Sequence, residues 1–168
     1  MISQLVSGGQ TGVDRAALDV ALELGIACGG WCPKGRRAED GAVPNRYPLT
    51  ETPSGEYAQR TTWNVRDSDG TLVLAGGQTA GGTLLTVEAC RDAGKPCLVI
   101  DLADEEALPA AVRAVREWIA LSLPGGVLNV AGPRATEAPG VYERARVFLL
   151  AVLGGGECSG PQASGSSQ

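Results

Sequence analysis

Short apolar runs alternate with segments of helical period along this chain. Gln4-Leu5-Val6 reads as a buried strand. From Asp14 to Leu24 the apolar positions Ala17, Leu18, Ala21 and Leu24 fall on one helical face, and Gly25 follows as a stop. Ile26 to Trp31 reads as a second strand, closed by Pro33. Residues 34–54 are mostly polar and hold Gly35, Gly41, Pro44, Pro48 and Pro53, which predicts a long loop. A helix is expected over 56–66. Thr71-Leu72-Val73-Leu74-Ala75 is the clearest strand, followed by a helix over 83–93 that Gly94 and Pro96 end. Cys97 to Ile100 reads as a strand. The segment 105–123 reads as a longer helix, with Leu108, Val112, Val115 and Ile119 along one face. Val127 to Ala131 and Val141 to Leu153 complete the series as strand and helix.

This alternation predicts an α/β fold: a Rossmann-like three-layer domain with a mainly parallel sheet flanked by helices. It spans 1–153 as a single domain, and the Gly/Ser-rich stretch 154–168 is expected to be a disordered tail. In such a sheet the ligand lies beyond the carboxyl ends of the strands. The Gly/Pro-rich loops 7–12, 76–82 and 132–140 each follow a strand, so they converge on that edge.

Composition narrows the partners. The net charge of −5 comes with no dense Lys/Arg stripe, which argues against nucleic-acid or membrane-surface binding. A small anionic ligand answers to a local field and stays possible. No apolar run is long enough to span a bilayer and no signal peptide is read, so a cytoplasmic location is expected. Five cysteines, Cys28, Cys32, Cys90, Cys97 and Cys158, form an odd set that reads as reduced thiols.

Two near-copies of one phrase carry the candidate chemistry: Gly8-Gly9-Gln10-Thr11-Gly12, and Gly76-Gly77-Gln78-Thr79-Ala80-Gly81-Gly82-Thr83. A glycine-rich turn between strand and helix exposes backbone N–H groups at the positive end of the helix dipole, which suits phosphate or another oxyanion. One copy is equally readable as a tight turn; the second copy favours the anion cradle. Neither is a Walker A loop, since no Gly-Lys-Ser/Thr ends it. Arg15 faces either ligand or solvent. Lys34, Arg36 and Arg37 form a cationic run that suits oxyanion recognition or is merely solvated. Arg60 and Asn64 share a helix face and reach the pocket or belong to a structural network. Asn129 in an apolar strand needs a buried partner. Arg134, in the loop after the last strand, is a further anion contact.

Catalytic machinery is sparse. There is no His, the commonest general base and metal ligand. Cys28 and Cys32 lack a second ligand pair for zinc, so no metal site is expected. Acid/base work is left to Asp14, Glu39, Asp40 or Glu88.

Taken together, these residues resemble the molybdenum carrier protein family, relatives of the molybdenum-cofactor carrier proteins. The resemblance is carried by Ser7 to Leu18, Gly29 to Gly41, Arg60 to Val65, Ser68 to Leu72, Gly81-Gly82-Thr83 and Leu128 to Arg134, and it covers residues 1 to about 153. It implies a Rossmann-like fold of the wider group that holds the lysine-decarboxylase-like (LOG) proteins. It also implies a homo-oligomer, dimer or tetramer, that carries the molybdenum cofactor, a phosphorylated pterin. A nucleotide or a free metal oxyanion is the alternative ligand. The expected contacts are Gly8, Gly9, Gln10, Thr11, Gly12, Arg15, Lys34, Arg36, Asn64, Gly81, Gly82, Thr83 and Arg134. The LOG phosphoribohydrolases resemble this chain around Gly81-Gly82-Thr83, but Thr86 stands where their Glu is found, which argues against hydrolysis. An enzyme of that type would have to use Glu88 or Asp69 as its acid.

Overall fold

Gly70 to Ala75 is buried at every position, the mark of a strand covered on both faces. It lies inside a parallel sheet of five strands. A computed structural model of the chain describes residues 1–77 and 81–155. Gln78, Thr79 and Ala80 of the second glycine-rich turn, and the tail from Gly156, lie outside the described residues.

In chain order the elements are β1 (Gln4–Val6), α1 (Val13–Glu23), β2 (Cys28–Gly29), β3 (Trp31–Cys32), a 3-10 turn (Lys34–Arg36), β4 (Arg37–Ala38), β5 (Gly41–Ala42) and β6 (Thr50–Glu51). Then follow α2 (Tyr57–Arg66), β7 (Gly70–Ala75), α3 (Gly82–Ala93), β8 (Cys97–Asp101), α4 (Leu108–Ser122), β9 (Val127–Ala131) and α5 (Val141–Leu153). The five-stranded sheet runs β2-β1-β9-β7-β8, so the last strand of the chain occupies the centre. Val6 and Thr71 flank Asn129 in register from its two sides.

From β1 the chain crosses outward through α1 to β2, and from β7 it crosses outward the other way through α3 to β8. Right-handed crossovers in opposite directions place α1 and α3 on opposite faces. α5 packs between α1 and α4 on one face, and α2 packs with α3 on the other. The core is aliphatic: Leu5, Leu18, Leu72, Leu74, Leu128 and Leu149 are fully buried. The loops after β1, β9 and β7 meet where the two crossovers diverge, which is the position at which α/β sheets open a crevice.

Three expectations need correction. The strand expected over 26–31 is two: Cys28–Gly29 pairs with β1, whereas Trp31–Cys32 pairs with β6 in a separate ribbon. Gly30 makes the break with φ +125°, a conformation that few side chains tolerate, and its Cα sits close to Ser7 and Asn64 Oδ1. The long loop over 34–54 is pinned by two small ribbons and by buried Val43, Tyr47 and Leu49. The helix expected from Glu105 starts at Leu108, with Pro109 in its first turn where a missing N–H costs nothing.

Asn129 finds its partner on the adjacent strand. Its Nδ2 donates to Thr71 Oγ1 at 3.2 Å within the buried sheet. Asp69, considered above as an acid, lies at the amino edge of the sheet, where its carboxylate accepts from Val127 N–H at 2.7 Å. That is the end of the strands opposite the crevice. No helix among the described residues is long and apolar enough to cross a membrane.

Candidate functional site

A cleft of about 60 Å³ opens at the crevice. Gln10 from the β1 loop, Arg60 from α2, Gly82 and Thr86 from α3, and Arg134 and Glu137 from the β9 loop line it. Each arrives for a local reason. Gln10 sits at the end of a buried strand. Arg60 is carried on the α2 face that packs toward the sheet. Gly82 opens α3, whose N-cap is Gly81 at φ +48° with no side-chain cap. Among the described residues no side chain accepts from the first-turn N–H groups of α3, which bring positive potential to the cleft.

Arg60 is the main electrostatic feature. Its Nη1 lies 3.3 Å from Asp14 Oδ2, and the two side chains are only 13% and 2% exposed. Its Nε is buried and has no acceptor among the described residues. Burial pushes the Asp14 carboxyl above its ordinary value, while Arg60, the Gln10 N–H and Arg15 oppose the shift. The guanidinium passes directly over Gly8, where a Cβ would land on Nη1. Gly8 thus makes room for Arg60.

Arg134 and Arg60 both lie against the Tyr57 ring, with guanidinium carbons 5.7 and 5.9 Å from the ring centre. Arg37 lies 5.0 Å from the same ring. Arg134 Nε is 3.1 Å from Glu137 Oε1 and 3.9 Å from Glu39 Oε2, and the side chain is about a third exposed. Glu39 accepts from the hydroxyls of Thr11 and Thr136, tying the β1 loop to the β9 loop. Partial burial acts to raise its carboxyl, but the donors Thr11 and Thr136 and the charge of Arg134 outweigh it and hold it below the usual range.

Of the thirteen expected contacts, Gln10, Gly82 and Arg134 line the cleft and Gly81 caps the helix that borders it. The first glycine turn is largely self-satisfied. Gln10 N–H donates to Asp14 Oδ2 at 3.2 Å and Thr11 N–H to Gln10 Oε1 at 3.0 Å, while Thr11 Oγ1 accepts from Ala135 N–H at 3.1 Å. Gly9 packs under Val43 and Leu49, and Gly12 lies against the β9 loop. Arg15 donates to Gly9 O and forms a fork on Asp40, with Nη2 at 2.7 Å from Oδ1. Asn64 takes both backbone groups of Trp31, at 2.8 and 2.9 Å. Thr83 is buried at the start of α3, and Lys34 is exposed in the 3-10 turn, away from the cleft lining.

Arg36 departs furthest from its expected place. Its guanidinium donates to the carbonyls of Val43, Leu49, Pro44 and Tyr47, at 2.9 to 3.1 Å. It folds the loop 36–49 around itself instead of meeting a ligand. Arg36 also holds a left-handed φ of 53°, a strain that these bonds offset. Arg36→Met strands four carbonyls and is expected to lower stability by at least about 1.5 kcal/mol, visible as a lower thermal midpoint. An unchanged midpoint would show the clamp to be idle.

Sequence reasoning placed Arg60 on the correct helix face but left its role open, and it missed Tyr57 and Glu137. The signal for Arg60 was its i, i+4 relation to Asn64, which points into the same interior. Thr86, standing where the LOG glutamate is found, lines the cleft and donates its hydroxyl to Gly82 O at 2.9 Å. Glu88 is not part of the lining.

Comparison with known proteins supports the fold. The crystal structure of the "putative molybdenum carrier protein" from Syntrophus aciditrophicus SB superposes with a TM-score of 0.86 at 45% identity, over 90% of this chain and 95% of that one. No curated protein matches the chain. The family model described as circularly permutated YpsA SLOG matches residues 5–153, and the central place of the final strand accords with a permuted order. The chain belongs to the circularly permutated YpsA SLOG family.

Proposed function

We propose that this chain is a binding protein that holds a small phosphorylated ligand at the carboxyl edge of its sheet, in the first place the molybdenum cofactor. The observation that carries the reading is the pair Arg60 and Arg134, both placed against the Tyr57 ring and both lining the cleft that the start of α3 borders. Two guanidinium forks and a helix N-terminus converge on one small cleft, a donor set suited to a tetrahedral oxyanion. The buried Nε of Arg60 is a donor without an acceptor among the described residues. A cleft of about 60 Å³ holds one phosphate-sized group, well below the several hundred Å³ of a site that encloses a whole organic ligand. The remainder of a pterin or nucleotide would extend past Tyr57 into solvent. The similar Syntrophus protein is described as a "putative molybdenum carrier protein", which supports a molybdenum-containing ligand over a nucleotide. Thr86 offers no carboxylate for glycosidic cleavage, which supports binding without turnover.

Isothermal titration with molybdenum cofactor, AMP, molybdate and sulfate tests this. Binding of a phosphorylated ligand is expected, and Arg134→Ala is expected to weaken it about tenfold or more, about 1.4 kcal/mol. Arg134 is partly exposed, so its variant should fold with near-normal stability. Absence of heat with every ligand would overturn the proposal, and selective binding of AMP would replace the pterin by a nucleotide.

A further inference from the structure

Of the cationic run 34–37, Arg36 closes on its own loop and Lys34 lies away from the cleft lining, which leaves Arg37 without a role. Its backbone is fixed from both sides. Arg36 before it clamps four carbonyls, Ala38 after it is buried, and Glu39 straps the β1 loop to the β9 loop. In β4 Arg37 stands in register with Ala42 of β5, and strand alternation exposes its side chain while that of Ala38 turns inward. The guanidinium reaches the approach to α2. It donates to Gly55 O at 3.3 Å and lies over the Tyr57 ring, 5.0 Å from its centre. Arg60 and Arg134 each pair with carboxylates, whereas among the described residues no carboxylate pairs with Arg37. Tyr57, Arg60 and Arg134 line the cleft, and Arg37 does not. Its charge therefore stands against the same ring but outside the pocket.

We propose that Arg37 is a second anion contact and that the ligand carries a diphosphate, with one phosphate in the cleft on Arg60 and Arg134 and the next outside it on Arg37. The inference rests on the phosphate site proposed above and adds one group to what that site recognises. The cleft, at about 60 Å³, has room for one phosphate-sized group. A second phosphate joined to the first has to leave the cleft, and Tyr57 on its lining carries Arg37. Stacking on the ring orients the guanidinium plane and keeps its edge donors free. Those donors form a fork that matches two oxygens of a phosphate. A monophosphate fills the cleft and leaves Arg37 idle. The recognised chemistry is the diphosphate itself, whether it belongs to a nucleoside diphosphate or to a diphosphate-bridged pterin dinucleotide.

Isothermal titration of the full chain with inorganic phosphate, pyrophosphate and ADP tests this, at physiological ionic strength, where exposed charges beyond about 8 Å are largely screened. Wild type is expected to prefer pyrophosphate to phosphate. Arg37→Ala is expected to weaken pyrophosphate about tenfold and phosphate less than about twofold. Arg113→Ala removes the same charge from α4, on the other face of the sheet from α2, and should change neither. Arg37→Lys keeps the charge without the fork, and an intermediate loss confined to pyrophosphate is expected of it even if the alanine variant folds poorly. ADP bound at least as tightly as pyrophosphate, with the same dependence on Arg37, assigns the diphosphate to a nucleotide. ADP bound more weakly than pyrophosphate assigns it to the pterin dinucleotide. Equal losses for phosphate and pyrophosphate in Arg37→Ala, or no loss for pyrophosphate, would overturn the inference and leave the one-phosphate site standing. Silence of the wild type toward all three probes would overturn both.

Discussion

Arg60→Met is expected to destabilise the fold by about 3–5 kcal/mol at neutral pH, as well as to abolish anion binding. The reason is Asp14. Its carboxylate is 2% exposed and lies 3.3 Å from Arg60 Nη1. Removing one partner of a buried pair leaves the other charge without compensation, and that penalty exceeds what the pair contributes when intact. Its remaining help, the Gln10 N–H, the Ser7 hydroxyl and the more distant Arg15, is weak or already shared, Ser7 with Val130 O and Arg15 with Asp40. Asp14→Asn combined with Arg60→Met removes both charges and should recover most of the loss. Urea unfolding of the single and double variants measures this, and strictly additive losses would contradict it.

The loss should also depend on pH, with a definite sign. Burial already raises the Asp14 carboxyl above 3.8 in the folded chain. A group whose folded pKa is raised contributes stability that is fully present below its unfolded value and is lost as pH rises through the folded one. Without Arg60 the folded value rises further. The defect of Arg60→Met should therefore be smaller near pH 4 than at pH 7, because the orphan carboxyl takes a proton at low pH. Glu39 and Asp40 act in the other direction. Their folded values are lowered, so they contribute above their unfolded values and that contribution fades as the medium is acidified. For this reason the comparison must be variant against wild type at each pH. An equal defect at both pH values would mean that Asp14 is not the source of the penalty.

How far the sequence revealed this arrangement depends on the range of each interaction. The strands β7 and β9 are continuous apolar runs, and a parallel sheet buried on both faces leaves that local trace. The edge that holds the cleft was legible too, because any loop following a parallel strand falls there. The strand order was not. Nothing in Val127 to Ala131 says that it enters between β1 and β7, since the choice rests on packing against both neighbours at once. Arg36 and Arg60 show the same limit for side chains. Both are arginines in segments near the ligand edge, yet Arg36 closes on four carbonyls of its own loop and Arg60 meets a carboxylate from a distant helix. Glu39 read as an acid/base candidate beside a cationic run, and in the fold it is a strap between two loops. In the first copy of the repeated glycine phrase, close approach matters more than free N–H groups.

Gly12→Ala gives that last point its sharpest consequence. Gly12 has φ +79°, and a Cβ there would stand 2.5 Å from Pro133 O and 2.9 Å from Ala135 N. Both obstacles are backbone, so no rotamer change relieves them. The strain of a left-handed alanine, about 1–3 kcal/mol, adds to an overpacking cost of about 1–3 kcal/mol. The β1 loop would have to withdraw from the β9 loop. That withdrawal breaks the bond from Val13 N–H to Pro133 O, and with it the link from Ala135 N–H to Thr11. Arg134 stands between these contacts and would be displaced with its loop. Gly12→Ala should therefore lose stability and ligand binding together, whereas Arg134→Ala loses binding alone. Gly35→Ala is the control: it too has a left-handed φ, of +76°, but nothing lies within 4 Å of its Cβ, so it should show only the strain component. Equal thermal midpoints for the two glycine variants would show that contact between the β1 and β9 loops does not govern the site.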